Sequence, residues 1–337
     1  MSEIFSRHGL PGPDFREALH TLNRRYQEAW DRAERLQDEL DHIKKSRVYR
    51  LLSWWRRLAR NWRALPGSRR ETLPPPAFPI ENLEAAQAPA KGTVSILIPF
   101  KDHLDLLRNC LRSLRRGSYQ PKEIILLDNG STCPRMLKYL KRVRGLAGHK
   151  VIACPGPFNF SRICNLGARH AGGDFLLFLN NDIEVLAADW LEQLLRLGYR
   201  ADVGIVGATL LYPDRTLQHA GIFPQNGGRW SHAYRGLPHD HPGERGELRQ
   251  ARTVPAVTGA CLLIARDLFS ELGGFDEKYD LTFNDVDLCC RVRERGLKVA
   301  ISPRARLWHF ESMSRGYSRD EPIGRFQINP RAAVGPA

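Results

Sequence analysis

Three groups of acidic residues could do polar chemistry, and two of them stand where apolar runs stop. Asp128 closes the run Ile124–Leu127 and is followed by the turn pair Asn129-Gly130. A carboxylate at such a strand end can accept hydrogen bonds from a base or ribose, or it can cap its own turn. Asn180-Asn181-Asp182 directly follows the apolar run Phe175–Leu179. Asp182 suits Mg²⁺, which takes one or two carboxylates plus substrate phosphates; a plain loop or the cap of a following helix is the other reading. Asp285 and Asp287 open a stretch that reads as a helix running to Arg295. One of them could serve as a general base toward an attacking hydroxyl, or both could simply complement the helix dipole. No G-x-G-x-x-G accompanies Asp128, which disfavours a dinucleotide cofactor.

The elements that must position these groups read as β-α-β. Val94–Ile98 is a short apolar run, Leu104–Leu114 has helical apolar spacing, and Glu123–Leu127 and Phe175–Leu179 are buried-strand runs. Strands alternating with helices predict an α/β fold with a mostly parallel sheet and a ligand crevice at the strands' C-terminal ends. Before this domain lies a helical extension, residues 1–70. Within 15–43, Phe15, Leu19, Leu22, Tyr26, Ala29, Ala33, Leu36, Leu40 and Ile43 form a heptad seam. Such a seam pairs two copies as a coiled-coil homodimer, or lays one amphipathic helix on the domain. Residues 42–70 carry ten Lys or Arg and no acid, interleaved with Trp54, Trp55 and Trp62. That composition suits a helix lying on an anionic membrane surface, with packing on the catalytic domain as the alternative. Residues 71–92, with three consecutive prolines, read as a semi-rigid linker. The catalytic domain is placed at 93–320 and a short tail at 321–337.

Composition limits the function classes. The net charge of +14 asks for an anionic partner, but no zinc-finger spacing or basic-aromatic sheet pattern points to nucleic acid. The seven cysteines show no C-x-x-C pair and read as free thiols of a reducing compartment. No apolar run approaches the eighteen or so residues of a membrane span, and the N-terminus does not read as a secretory signal. The expected location is cytoplasmic, peripheral at the inner membrane face.

Taken in order, SILIPF, LLDNGS, FLNNDIEV, GGFDEKY, NDVDLCCRVRERG and SPRARLWH resemble the family 2 glycosyltransferases, rhamnosyltransferase-like, of O-antigen and cell-wall polysaccharide assembly. The resemblance covers Thr93 to Tyr317. It implies a glycosyltransferase-A fold: a Rossmann-like half for the nucleotide joined to a half for the acceptor. It also implies an inverting, metal-dependent transfer from a nucleotide-sugar donor to a saccharide or polyprenyl-linked acceptor. Pro99 and Phe100 would border the nucleobase, and Asp128 would bind its uracil or thymine edge. Asp182 would hold Mg²⁺ or Mn²⁺ beside Asn181, which stands where the first acid of the metal-binding pair often occurs. His309 matches the late histidine that reaches the metal or diphosphate. Asp285 is implied as the catalytic base, with Asp287 and Arg291 orienting its helix. Asn284 replaces the family's Glu, and the chain ends soon after the histidine. These departures leave a second reading open, a catalytically weak scaffold in an assembly complex.

Overall fold

The computed structural model describes Phe78 and residues 80–84, 92–121, 123–225 and 229–310. The heptad seam, the basic tryptophan-rich segment, most of the linker and the tail lie outside the described residues.

Chain order begins β1 (Val94–Phe100), α1 (Leu104–Leu114), β2 (Glu123–Asp128), α2 (Pro134–Val143), β3 (His149–Ala153), α3 (Phe160–Arg169) and β4 (Phe175–Leu179). It continues through β5 (Ile183–Val185), α4 (Trp190–Gly198), β6 (Val203–Leu211), β7 (Leu217–His219), β8 (Ile222–Gln225) and β9 (Arg229–His232). The last elements are β10 (Arg252–Thr253), β11 (Cys261–Ala265), α5 (Arg266–Glu271), α6 (Asn284–Glu294) and β12 (Lys298–His309). The expected β-α-β order is present, and β1 runs two residues beyond its apolar run to include Pro99 and Phe100.

The main sheet has the order β10-β12-β6-β11-β4-β1-β2-β3. Its β4-β1-β2-β3 half is wholly parallel, and β12 pairs parallel with β6. β11 lies between the two blocks, antiparallel to both β4 and β6. Two reversals cancel, so β1, β2, β4, β6 and β12 all end at one edge, where β11 begins. This geometry collects the sequence-distant polar loops.

Strands covered on both faces need apolar residues at every position, and β1, β4 and β6 are buried throughout. Side-chain alternation divides them between two layers. Ile96, Ile98 and Leu126 pack with Leu107 and Leu111 of α1, Met136 of α2 and Trp190 of α4. Leu97, Ile125, Leu127 and Phe178 pack with Ile163 of α3, Phe269 of α5 and Val286 of α6. Gly167 allows α3 to approach closely, since a Cβ there would come within 2.7 Å of Leu127.

α3 also secures the Gly273-Gly274-Phe275-Asp276-Glu277 stretch. Asn165 Oδ1 accepts from Phe275 N–H at 2.9 Å, and Asn165 Nδ2 donates to Phe275 O at 2.9 Å. Gly274 has φ 77, and a Cβ there would lie 2.5 Å from Asn165 Oδ1, so glycine is required on both counts. All seven cysteines are free, and only Cys133 is not buried. Among the described residues no helix is long and apolar enough to cross a membrane.

Candidate active site

β4 stops at Leu179, and Asn180 N–H donates to Ala260 O, just before β11, at 3.0 Å. The chain then enters β5 rather than a helix, so Asp182 is not a helix cap. β5 pairs antiparallel with the end of β12, which puts His309 opposite Ile183, and Phe310 N–H donates to Asp182 O at 3.0 Å. This clamp brings His309 Nε2 to 3.2 Å from Asp182 Oδ1. His309 Nδ1 lies 2.7 Å from Gln218 Oε1. Asp182, His309 and Gln218 are all buried, so carboxylate, imidazole and amide are held with little freedom. Asn181 beside them is buried as well.

The second acidic pair splits into two roles. α6 starts after Phe283, whose φ of 64 turns the chain into the helix. Half-buried Asp285 accepts from Gly259 N–H at 2.9 Å and from Val286 N–H at 2.8 Å. Burial pushes its carboxyl above the ordinary Asp range, with the Gly259 and Val286 hydrogen bonds acting the other way. A carboxylate so raised is better matched to proton abstraction near neutral pH. Asp287 instead pairs with Arg291 Nε at 2.8 Å, and Arg291 Nη1 donates to Leu272 O at 2.8 Å. That link ties α6 to the end of α5.

Removing one partner of a buried ion pair strands the other. Asp287→Ala should therefore cost on the order of 3 kcal/mol of unfolding free energy. Urea denaturation measures it, and a variant as stable as wild type would remove Asp287 from this structural role. Asn284 Nδ2 and Arg291 Nη2 are buried without a hydrogen-bond partner among the described residues.

Thr258-Gly259-Ala260 joins the two acidic groups, and sequence reasoning missed it. Its three residues touch, in turn, His219, Asp285 and Asn180. Thr258 N–H donates to His219 Nε2 at 3.4 Å, and His219 Nδ1 lies 3.1 Å from His232 Nδ1. Burial, then the neighbouring His232, hold His219 well below the usual histidine range, so the ring is neutral. A backbone N–H can only donate, which assigns the hydrogen of His219 to Nδ1. The available sequence signal was Gln218-His219, two polar residues inside the apolar run Leu217–Phe223.

At the ends of β1 and β2 the turn-capping reading of Asp128 is realised: its Oδ1 accepts from Ser131 N–H at 2.8 Å. Asp102, just past β1, accepts from Cys133 N–H at 2.8 Å and from Thr132 N–H at 3.1 Å. Phe100 pairs with Asp128 in register. Pro99 and Phe100 are both buried, and Phe100 shares the face of Ile96 and Ile98 within the core.

A sheet between two helical layers, with acidic loops at the common edge of its parallel strands, is the glycosyltransferase-A arrangement. The crystal structure of GalNAc-T7 with UDP, GalNAc and Mn²⁺ shares it, with a TM-score of 0.52 and 20% identity over 65% of this chain and 44% of that one. The model of glycosyl transferase family 2 matches residues 95–273, more than half the chain, and the chain belongs to that family. It is 39% identical over 231 residues to the O-antigen biosynthesis protein RfbC of Myxococcus xanthus, covering 67% of this chain and 18% of RfbC. It is 29% identical over 237 residues to the N-acetylglucosaminyl-diphospho-decaprenol L-rhamnosyltransferase of Mycobacterium tuberculosis, covering 62% of this chain and 73% of that enzyme. The chain thus spans less than a fifth of RfbC.

Proposed function

We propose that the chain transfers a hexosyl or deoxyhexosyl group from a nucleotide-sugar donor to a saccharide or polyprenyl-linked acceptor, with inversion, in surface polysaccharide assembly. The observation carrying this reading is the convergence, through Thr258–Ala260, of the Asp182–His309 pair with the raised carboxyl of Asp285 at one sheet edge.

Asp182 offers in a buried corner the carboxylate oxygen that suits Mg²⁺ or Mn²⁺, and His309 adds an imidazole nitrogen, which of the two favours Mn²⁺, with phosphate and water taking the remaining positions. Bound there, the cation would neutralise charge on the departing diphosphate. In this reading Asp128 and Asn181 contact the nucleotide and Pro99 borders the base, while Phe100, buried in the core, supports that strand end from beneath. Asp285 accepts the proton of the acceptor hydroxyl as that oxygen bonds to the anomeric carbon. The bond from that carbon to the diphosphate oxygen breaks on the opposite face. Asp287 and Arg291 hold α6 so that Asp285 keeps its place.

Calorimetric titration with UDP-, dTDP- and GDP-sugars tests the reading. One nucleotide class should bind with Mn²⁺ present and lose affinity in EDTA; equal affinity in EDTA would overturn the metal assignment. Donor hydrolysis by the purified chain separates an enzyme from a scaffold.

The anionic membrane surface and coiled-coil pairing belong to residues 1–70, as does a peripheral place at the inner membrane. Residues 93–320 form the catalytic domain of this proposal, and 71–92 the linker. Removing residues 1–70 should leave a folded domain that no longer floats with anionic vesicles; flotation equal to that of the full chain would contradict it.

A further inference from the structure

We propose that Gln218 is a positioning residue: its amide oxygen holds the ring hydrogen of His309 on Nδ1 and so turns Nε2 toward Asp182. The inference rests on reading Asp182 and His309 as a cation-binding pair, and it concerns what keeps that pair usable.

β7 and β12 both flank β6, so Gln218 and His309 meet across the end of one strand. The Nδ1 to Oε1 separation is 2.7 Å, a full hydrogen bond, and an amide oxygen can only accept. Nδ1 must therefore donate. On the other side of the ring Nε2 faces Asp182 Oδ1 at 3.2 Å, with the amide nitrogen of Asn180 at a longer 3.5 Å. A carboxylate is itself an acceptor and competes for the ring's hydrogen. If that hydrogen sat on Nε2 it would occupy the lone pair a cation needs. A partner for Nδ1–H shifts the balance back, and outer hydrogen bonds of this kind commonly set the tautomer and orientation of a metal-binding histidine. Gln218 is 3% exposed and His309 8% exposed, so water is a poor substitute for the amide.

The arrangement also explains the polar pair on β7. Leu217 and His219 oppose the adjacent Leu211 and Leu210 of β6, so Gln218 is the extra residue of a β-bulge, a feature that re-aims a side chain. Gln218 reaches His309, while His219 reaches Thr258 and His232. One three-residue strand thus braces both the Asp182 corner and the loop before β11 whose Gly259 N–H contacts Asp285.

The test uses the full chain labelled with ¹⁵N-histidine, with His309 assigned by its loss in His309→Gln. Long-range ¹H–¹⁵N spectra of the metal-free protein should show hydrogen on His309 Nδ1 in wild type and in Gln218→Glu, which keeps an acceptor. In Gln218→Leu that hydrogen should leave Nδ1. Mn²⁺ affinity in the presence of UDP, read by electron paramagnetic resonance, should fall about 10–100-fold in Gln218→Leu and be retained in Gln218→Glu. A wild-type His309 without hydrogen on Nδ1 overturns the proposal, as does a Gln218→Leu protein that binds Mn²⁺ like wild type. Should wild type bind no Mn²⁺ yet carry the Nδ1 hydrogen that Gln218→Leu loses, the positioning role stands and the cation reading fails. The wild-type spectrum decides the question even if Gln218→Leu does not fold.

Discussion

Asp285→Asn is expected to lower turnover by about 10²–10⁴-fold, the usual contribution of a general base, while donor affinity stays nearly unchanged. Gly259 and Val286 N–H donate to separate oxygens of Asp285, so Asn keeps an acceptor for one of them and cannot take a proton. Turnover with a competent acceptor, measured beside nucleotide titrations, separates the two effects. The pH profile sharpens the test. Only the ionised carboxylate is a base, so wild-type turnover should climb with pH through the raised value of Asp285, giving an acid limb above the ordinary Asp range. The Asn variant should lack that limb.

Linkage gives the sign for stability. A folded-state value above the unfolded one means that the native protein holds the proton longer. Ionising Asp285 therefore removes stability as pH rises from the ordinary Asp range through the raised value. The Asn variant should lose this pH dependence of stability. Normal turnover in Asp285→Asn would place the base elsewhere.

Asp182→Ala should abolish metal-dependent donor binding and turnover together, a larger loss than the roughly 10–100-fold typical of an outer hydrogen-bond partner. The fold should survive, because the clamp joining β5 to β12 uses the backbone oxygen of Asp182, which accepts from Phe310 N–H. Asp128→Ala should mainly weaken nucleotide binding, with some loosening of the Ser131 turn. Isothermal titration with the preferred nucleotide, with and without Mn²⁺, distinguishes them. Asp182→Ala protein that still gains affinity on adding Mn²⁺ would contradict its assignment as a ligand.

Much of the scaffold was legible in the residues. β2 and β4 are runs of buried apolar side chains, and α1 has three- and four-residue spacing, so burial on two faces or on one wrote itself into the pattern. The short strands were not legible. β5 and β7 are three residues each and β10 is two, too few to show a period. Yet β5 makes Asp182 part of a clamp instead of a helix cap, and β7 carries Gln218 and His219. Phe100 illustrates the same limit from the other side: its strand-end position was evident, while its alternation with Ile96 and Ile98 buries it in the core.

The amino-acid sequence by itself determined which acids stand at the ends of apolar runs and in what order their motifs follow. It could not determine which loops meet, because β11 runs against both of its neighbours and only that reversal brings Gly259 and Ala260 to the edge where β4 ends. The helical spacing alone did not divide the labour between Asp285 and Asp287; only the family resemblance did. Two residues apart on a helix, they point about 200° away from each other, so one must turn from whatever the other faces. Packing gives the two different partners: the loop before β11 offers Gly259 N–H to Asp285, and Arg291, anchored on Leu272, takes Asp287.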